Sequence, residues 1–283
     1  MVNLKKTAAM LCALIMACGC SKREETETVT ASALPVTGEF SVTALKVGKA
    51  DALVLKTQSH TVLIDCGEKD DGDEIVEFLT ENNAEKVDYL FITHFDKDHV
   101  GGAAEVIENI DISQIVVPDY ENDSKEYQKY ISAAQEKGLT PLRLKETMSF
   151  VLDDVSFAVY PPLESKYEES DNDFSLAVTA VHGKNSFLFA GDAETVRMQE
   201  IVQQVSGEFT YLKVPHHGVY SDYTEEFADK IKPVYAVITC SEKNPAEKKV
   251  TDILTAVNAV IYDTSYNSVK TVSDGETLTF TQD

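Results

Sequence analysis

Apolar positions in this chain recur with strand spacing and helix spacing in turn. Residues 40–47 and 52–56 alternate or run apolar, as strands do, and residues 61–65 form another such run that stops at Cys66-Gly67. Residues 73–82 predict an amphipathic helix with Ile75, Val76, Phe78 and Leu79 on one side, and residues 88–93 predict a buried strand. Gly101 and Gly102 are expected to open a helix that runs to residue 109. A short strand follows at 115–117, stopped by Pro118, and then a helix at 125–137. After Pro141 come several short strands, as far as Tyr160. Residues 174–181 and 186–190 read as a hairpin joined through 182–185. The remaining chain reads as helix (194–205), strand (211–214), helix (223–231), strand (235–239), helix (246–257) and terminal strands around an Asp274-Gly275 turn. Strands and helices mixed in this way predict an α/β layered fold. The chain has no internal repeat and no long insert, which predicts one domain over residues 40–283.

The first 39 residues lack this patterning. Lys5 and Lys6 precede an apolar stretch at 8–17, which is too short for a permanent membrane span and suited to the apolar region of a secretory signal. The stretch ends Ile15-Met16-Ala17-Cys18-Gly19-Cys20, which resembles the bacterial lipobox. That resemblance implies a signal peptide at 1–17, a lipid on Cys18 and a protein held at the extracellular face of the membrane. Cleavage without a lipid is the alternative. Residues 18–39, rich in Thr, Glu and Ser, are expected to be a flexible acidic tether.

Charge narrows the partners. There are 48 acidic residues against 25 basic ones, for a formal net charge of −23. A surface of that sign repels polyanions and lacks the Lys and Arg that displace counterions from phosphates, so it disfavours tight nucleic-acid binding. It suits attraction of metal cations. Beyond the signal region only Cys66 and Cys240 remain, and two lone thiols far apart read as buried cysteines rather than a disulfide.

The densest chemistry lies at Thr93-His94-Phe95-Asp96-Lys97-Asp98-His99-Val100-Gly101-Gly102. A buried strand ends, a glycine pair follows, and two imidazoles and two carboxylates lie between them. A turn of that length can direct alternate side chains to one point, which gives ligands for parts of two metal sites. Other candidates are Asp192 after Gly191, the His216-His217 pair, and Asp65 at a strand end. Asp51 is expected to fix a turn near the site, and His60 and His182 to be solvated. Tyr220, Ser221 and Tyr223 follow the double His and could face a substrate.

Residues 93–102 resemble the His-x-His-x-Asp-His motif of the metallo-β-lactamase superfamily, with Asp96 in the place of the second His. That departure resembles the branch typified by ComEC-type competence (DNA-uptake) hydrolase domains. Residues 47–52, 63–67, 172–176, 189–192 and 213–218 match further motifs of that branch in order. The resemblance implies a four-layered αββα sandwich and a centre of one or two divalent ions, zinc or manganese. It implies that His94 and Asp96 serve one metal, that Asp98, His99 and one of His216 and His217 serve the other, and that Asp192 bridges them. The first metal's usual third-motif His is missing, so Asp171, Asn172 or Asp173 would replace it, or that site would be weak or empty. Asp65 would orient ligands from behind. With Asp98 and Asp192, Asp65 makes up the expected catalytic carboxylates.

The implied activity is metal-dependent hydrolysis of a phosphoester or phosphodiester, of nuclease type if the acidic surface admits nucleic acid. The alternative is a non-catalytic or weakly catalytic binding or sensor protein on the same fold. A β-lactamase fits poorly, because Asp96 breaks that enzyme's His pattern.

Overall fold

Buried strands in the middle of a sheet are apolar on both faces, and β3 (Thr61–Ile64) shows the pattern. Val62 and Ile64 face one core while Leu63 faces another. In the computed structural model, which describes residues 34–84, 86–167 and 171–282, β3 lies in the interior of an eight-stranded sheet. Its other strands are β1 (Phe40–Ala44), β2 (Leu53–Lys56), β4 (Lys86–Phe91), β5 (Asp111–Pro118), β6 (Leu142–Leu144), β14 (Val269–Ser273) and β15 (Leu278–Thr281). They run in the order β15-β14-β1-β2-β3-β4-β5-β6. The second sheet has seven strands, in the order β13-β12-β11-β10-β9-β8-β7. These are β7 (Met148–Leu152), β8 (Val155–Tyr160), β9 (Ala177–His182), β10 (Asn185–Phe189), β11 (Tyr211–Lys213), β12 (Tyr235–Ile238) and β13 (Val260–Asp263).

Three apolar cores separate four layers. Between the sheets lie Val42, Leu55, Val62, Phe91, Phe157, Val178, Phe187 and Tyr211. Outside the first sheet, helices α1 (Gly72–Glu81), α3 (Ala103–Asn109) and α4 (Lys125–Glu136) bury Ile75, Leu79, Val106, Ile107 and Tyr130 against Leu63, Leu90 and Ile115. The short helix α2 (Lys97–Val100) leads into α3. Outside the second sheet, α5 (Thr195–Gln204), α6 (Thr224–Ile231) and α7 (Lys248–Ala256) bury Met198, Ile201, Phe227, Ile231, Val250 and Leu254 against Leu188, Leu212, Ala236 and Ile238. The result is the αββα sandwich that the resemblance implied.

The helix expected to open at Gly101-Gly102 and run to residue 109 is α3, with Gly102 at its N-cap, and the short helix α2 precedes it, where the Asp96 carbonyl accepts from His99 and Val100. Three expectations need correction. The strand expected at 115–117 extends over Asp111–Pro118, because its edge residues pair with β4 whatever their polarity. His182 is not solvated but fully buried, with Nδ1 2.8 Å from Ser273 Oγ. Residues 37 and 38, expected in the tether, donate their backbone N–H groups to Asp154. The signal peptide, Cys18 and most of the tether lie outside the described residues. Among those described, no helix is long and apolar enough to cross a membrane.

Candidate metal centre

The site forms where parallel strands end. Strand β3 runs parallel to β4, and β10, β11 and β12 run parallel to one another. Their carboxyl ends converge, the usual place for a site in such sheets. Asp65 follows β3, Thr93 and His94 follow β4, Asp192 follows β10, His217 follows β11 and Thr239 follows β12. Two of these backbones are unusual. Asp65 has φ 61°, and His216 and His217 have φ 49° and 52°. Non-glycine residues rarely adopt this left-handed region, and such strain clusters at functional sites.

Asp98, His99, Asp192 and His217 place ligand atoms within 4.8 Å of one another. Asp192 Oδ2 lies 3.2 Å from His99 Nε2 and 3.0 Å from His217 Nε2, and Asp98 Oδ2 lies 3.6 Å from His217 Nε2. The Nε2 atoms of His94, His99 and His217 are buried and none makes a hydrogen bond. Atoms this close that do not align with each other are placed to share a third partner, and a divalent cation fits the two-imidazole, two-carboxylate set.

The other face of each ring is anchored. His99 Nδ1 lies 2.9 Å from Asp65 Oδ2, and Asp65 is fixed in turn by Thr93, whose N–H and hydroxyl donate to its two oxygens at 2.7 and 2.8 Å. His217 Nδ1 donates to the Thr239 carbonyl at 2.9 Å. With Nδ1 engaged, Nε2 is the nitrogen left to face a ligand. Asp51 ties the turn, as expected. Its N–H donates to Asp98 O, its carbonyl accepts from Gly67 N, and its carboxylate accepts from Thr239 Oγ1.

The charges are strongly coupled. Burial would lower the His99 imidazole, but Asp192 and Asp65 outweigh it and hold it well above its usual value. The same contest, with Asp192 as the main partner, raises His217. Burial would raise Asp192, but His217, His99 and Lys213 hold it well below the ordinary carboxylate range. Asp98 is also held low, by His217 and His99, against burial. Burial, reinforced by His99, keeps His94 neutral, while burial and Asp98 push Asp96 up to about 6.

His94 and Asp96 border this group, with Nε2 and Oδ2 3.8 Å apart and the two rings of His94 and His99 4.1 Å apart at their centroids. Asp171 is exposed and accepts from Asn122, and its charge is felt at Asp96. Asn172 and Asp173 are committed to other partners, Asn172 to Glu194 and Asp173 to the backbone of Glu194 and Arg197. His216 Nδ1 lies 3.3 Å from Glu194 Oε1, and of the two histidines it is His217 that belongs to the four-residue group. Nearby Tyr220 lies under the Lys249 ammonium, and the Ser221 N–H donates to Thr224 Oγ1 in the turn before α6. The residue with no role in the sequence reading is Lys213, a buried cation touching Asp51 and Asp192. Its signal was a lone charge in the otherwise apolar run 211–214. Cys66 and Cys240 are buried free thiols, and burial together with Asp65 raises Cys66 further.

Comparison with known proteins agrees with this architecture. The profile of the Metallo-beta-lactamase superfamily matches residues 45–241. The chain is 27% identical over 228 residues to ComE operon protein 3 of Bacillus subtilis, covering 74% of this chain and 29% of that protein. It is 23% identical over 210 residues to Recombination protein 2 of Haemophilus influenzae, covering 73% of this chain and 25% of that protein. The chain thus spans less than a third of these relatives. Among solved structures, the metallo-beta-lactamase fold protein YhfI from Bacillus subtilis superposes with a TM-score of 0.55 at 9% identity, over 79% of this chain and 95% of that one. Igni18, a metallo hydrolase from the archaeon Ignicoccus hospitalis, superposes with a TM-score of 0.52 at 15% identity, over 82% and 98%. The chain belongs to the metallo-beta-lactamase superfamily, with ComE operon protein 3 and Recombination protein 2 among its relatives.

Proposed function

We propose that this protein is a metal-dependent hydrolase of phosphoester or phosphodiester bonds, anchored at the extracellular face of the membrane through a lipid on Cys18. The observation that carries the hydrolase reading is the pair of buried imidazole Nε2 atoms, of His99 and His217, that meet at Asp192 Oδ2 without making a hydrogen bond. His99, His217, Asp98 and Asp192 would hold one principal cation, and His94 and Asp96 would offer a weaker second position. A divalent cation bound there would supply Lewis acidity and lower the pKa of a bound water.

The protein's own residues do the rest. Asp65 fixes the His99 ring, Thr239 fixes His217, and Asp98, 22% exposed at its side chain, is the member of the group that meets an incoming substrate. The resemblance of residues 93–102 to ComEC-type hydrolase domains favours a phosphodiester, and the net charge of −23 favours a small one over long DNA.

The test is metal content and turnover of bis(p-nitrophenyl) phosphate by the purified protein, with and without chelator. Bound metal and chelator-sensitive hydrolysis are expected, with both lost in His217→Ala and metal retained in His216→Ala. A metal-free, inactive protein would refute the proposal.

A further inference from the structure

Strand β11 presents Tyr211 to the core between the sheets and Leu212 to the core beneath the helices. By that alternation position 213 points back toward the intersheet face, where an apolar side chain is the ordinary occupant. The residue there is Lys213, 1% exposed. A buried ammonium is costly to desolvate and persists only with close anionic partners. Lys213 has them on two sides. Its Nζ forms a close ion pair with Asp51 Oδ2. It also donates to the Gly191 carbonyl at 3.1 Å and stands 3.5 Å from Asp192 Oδ1. Among the described residues, no other Lys or Arg forms an ion pair with either carboxylate.

We propose that Lys213 is a positioning residue of the metal centre: it holds the Gly191 peptide by a hydrogen bond and draws Asp192 Oδ1, which makes no hydrogen bond of its own, by charge, so that Oδ2 is presented to the cation between His99 and His217. The division of Asp192 is visible in the distances, with Oδ1 toward the ammonium and Oδ2 at 3.2 and 3.0 Å from the two imidazoles. Gly191 has φ +54°, a conformation glycine adopts readily, and the Asp192 N–H after it donates to Ser175 Oγ at 3.0 Å, so the backbone leading into this carboxylate is already fixed. Asp51 completes the linkage. One oxygen holds Lys213, and the other accepts from Thr239, the residue that orients His217. Lys213 thereby joins two of the cation's ligands through one buried network.

This inference rests on the metal-centre reading above, and the sign of one measurement separates it from mere charge balance. A positive group beside a cation site repels the cation. If Lys213 only adjusted the charge, Lys213→Met would bind metal more tightly. If it positions Asp192, the variant binds more weakly, by about tenfold or more, as is usual when a ligand's orienting partner is removed.

The experiment titrates manganese or zinc alone into the metal-stripped full chain against a chromophoric chelator, and records the visible absorption bands of the cobalt-loaded protein. Weaker binding with altered cobalt bands is expected in Lys213→Met. Equal or tighter binding, or superimposable bands, overturns the proposal. Should Lys213→Met fail to fold, the charge-conserving pair Asp51→Asn/Lys213→Met is compared with Asp51→Asn alone. The proposal requires the double variant to bind metal more weakly than the single one, and equal affinity overturns it. If the unmutated chain binds no cation, the metal-centre reading falls instead.

Discussion

Asp65 shows how one side chain can serve both backbone and site. It closes β3 in a left-handed conformation, receives two hydrogen bonds from Thr93 and faces His99 Nδ1. Asn tolerates that backbone, so Asp65→Asn keeps the turn, but it removes the charge behind the ring and places an amide donor where Oδ2 accepts from Thr93 and faces His99. Metal affinity is expected to fall about 10–100-fold, and the melting temperature of the metal-free protein to fall as well because His99 loses a buried anionic partner, as read by chelator competition and thermal unfolding. Unchanged affinity would mean that Asp65 serves the turn alone. The residue scale also decides between neighbours of equal chemistry. His216 and His217 are indistinguishable on paper, yet one pairs with Glu194 and the other enters the metal group.

At the scale of elements, the site depends on how closely α2 and its glycine pair approach the turn after β3. Cys66 N–H donates to His99 O, and Gly102 N–H donates to Cys66 O. A Cβ on Gly102 would lie 2.4 Å from the Cys66 carbonyl oxygen, and one on Gly101 would lie 2.3 Å from Lys97 O. Neither glycine has positive φ, so the requirement is space rather than backbone freedom. Gly102→Ala therefore forces two backbones apart. It is expected to destabilise the fold by about 1–3 kcal/mol, the usual cost of overpacking, and to weaken metal binding because His99 moves with α2. Denaturant unfolding of the chelated protein checks the first effect. A variant as stable as the parent would show that the segments can separate freely.

The whole molecule carries opposed charge shifts, and they define a pH window for the metal-free protein. His99 and His217 are raised above their ordinary 6.5 in the folded state. Their contribution is fully present below that value and is lost as pH rises through the raised values. Asp98 and Asp192 are depressed below 3.8, so their contribution is present above it and is lost as pH falls through the lowered values. Thermal stability in chelator is thus expected to peak between about pH 4 and 6.5. Added cation, which needs the imidazoles deprotonated, should move the optimum upward and release protons on binding. Melting curves across pH, with and without metal, measure both. An optimum that stays at pH 8 in chelator would contradict the coupling.

The linear order of residues determined much of this protein by itself. The apolar runs at 61–65 and 88–93, the helical spacing of Ile75 and Leu79, and the short string from His94 to Gly102 each carry their meaning locally. Strand period, helix period and a turn that gathers nearby side chains all act within a few residues. That is why the layered α/β fold and most of the candidate ligands were legible there. Tertiary structure alone decided what depends on packing between distant segments. It turned His217 inward and His216 toward Glu194, and paired Asp171 with Asn122. It buried His182 against Ser273 and drew Lys213 between Asp51 and Asp192. Asp51 and Lys213 are 162 positions apart (213 − 51) and meet only because β11 ends beside the turn before β2. No local periodicity reports such a contact, since it is settled by which strand ends the two sheets bring together.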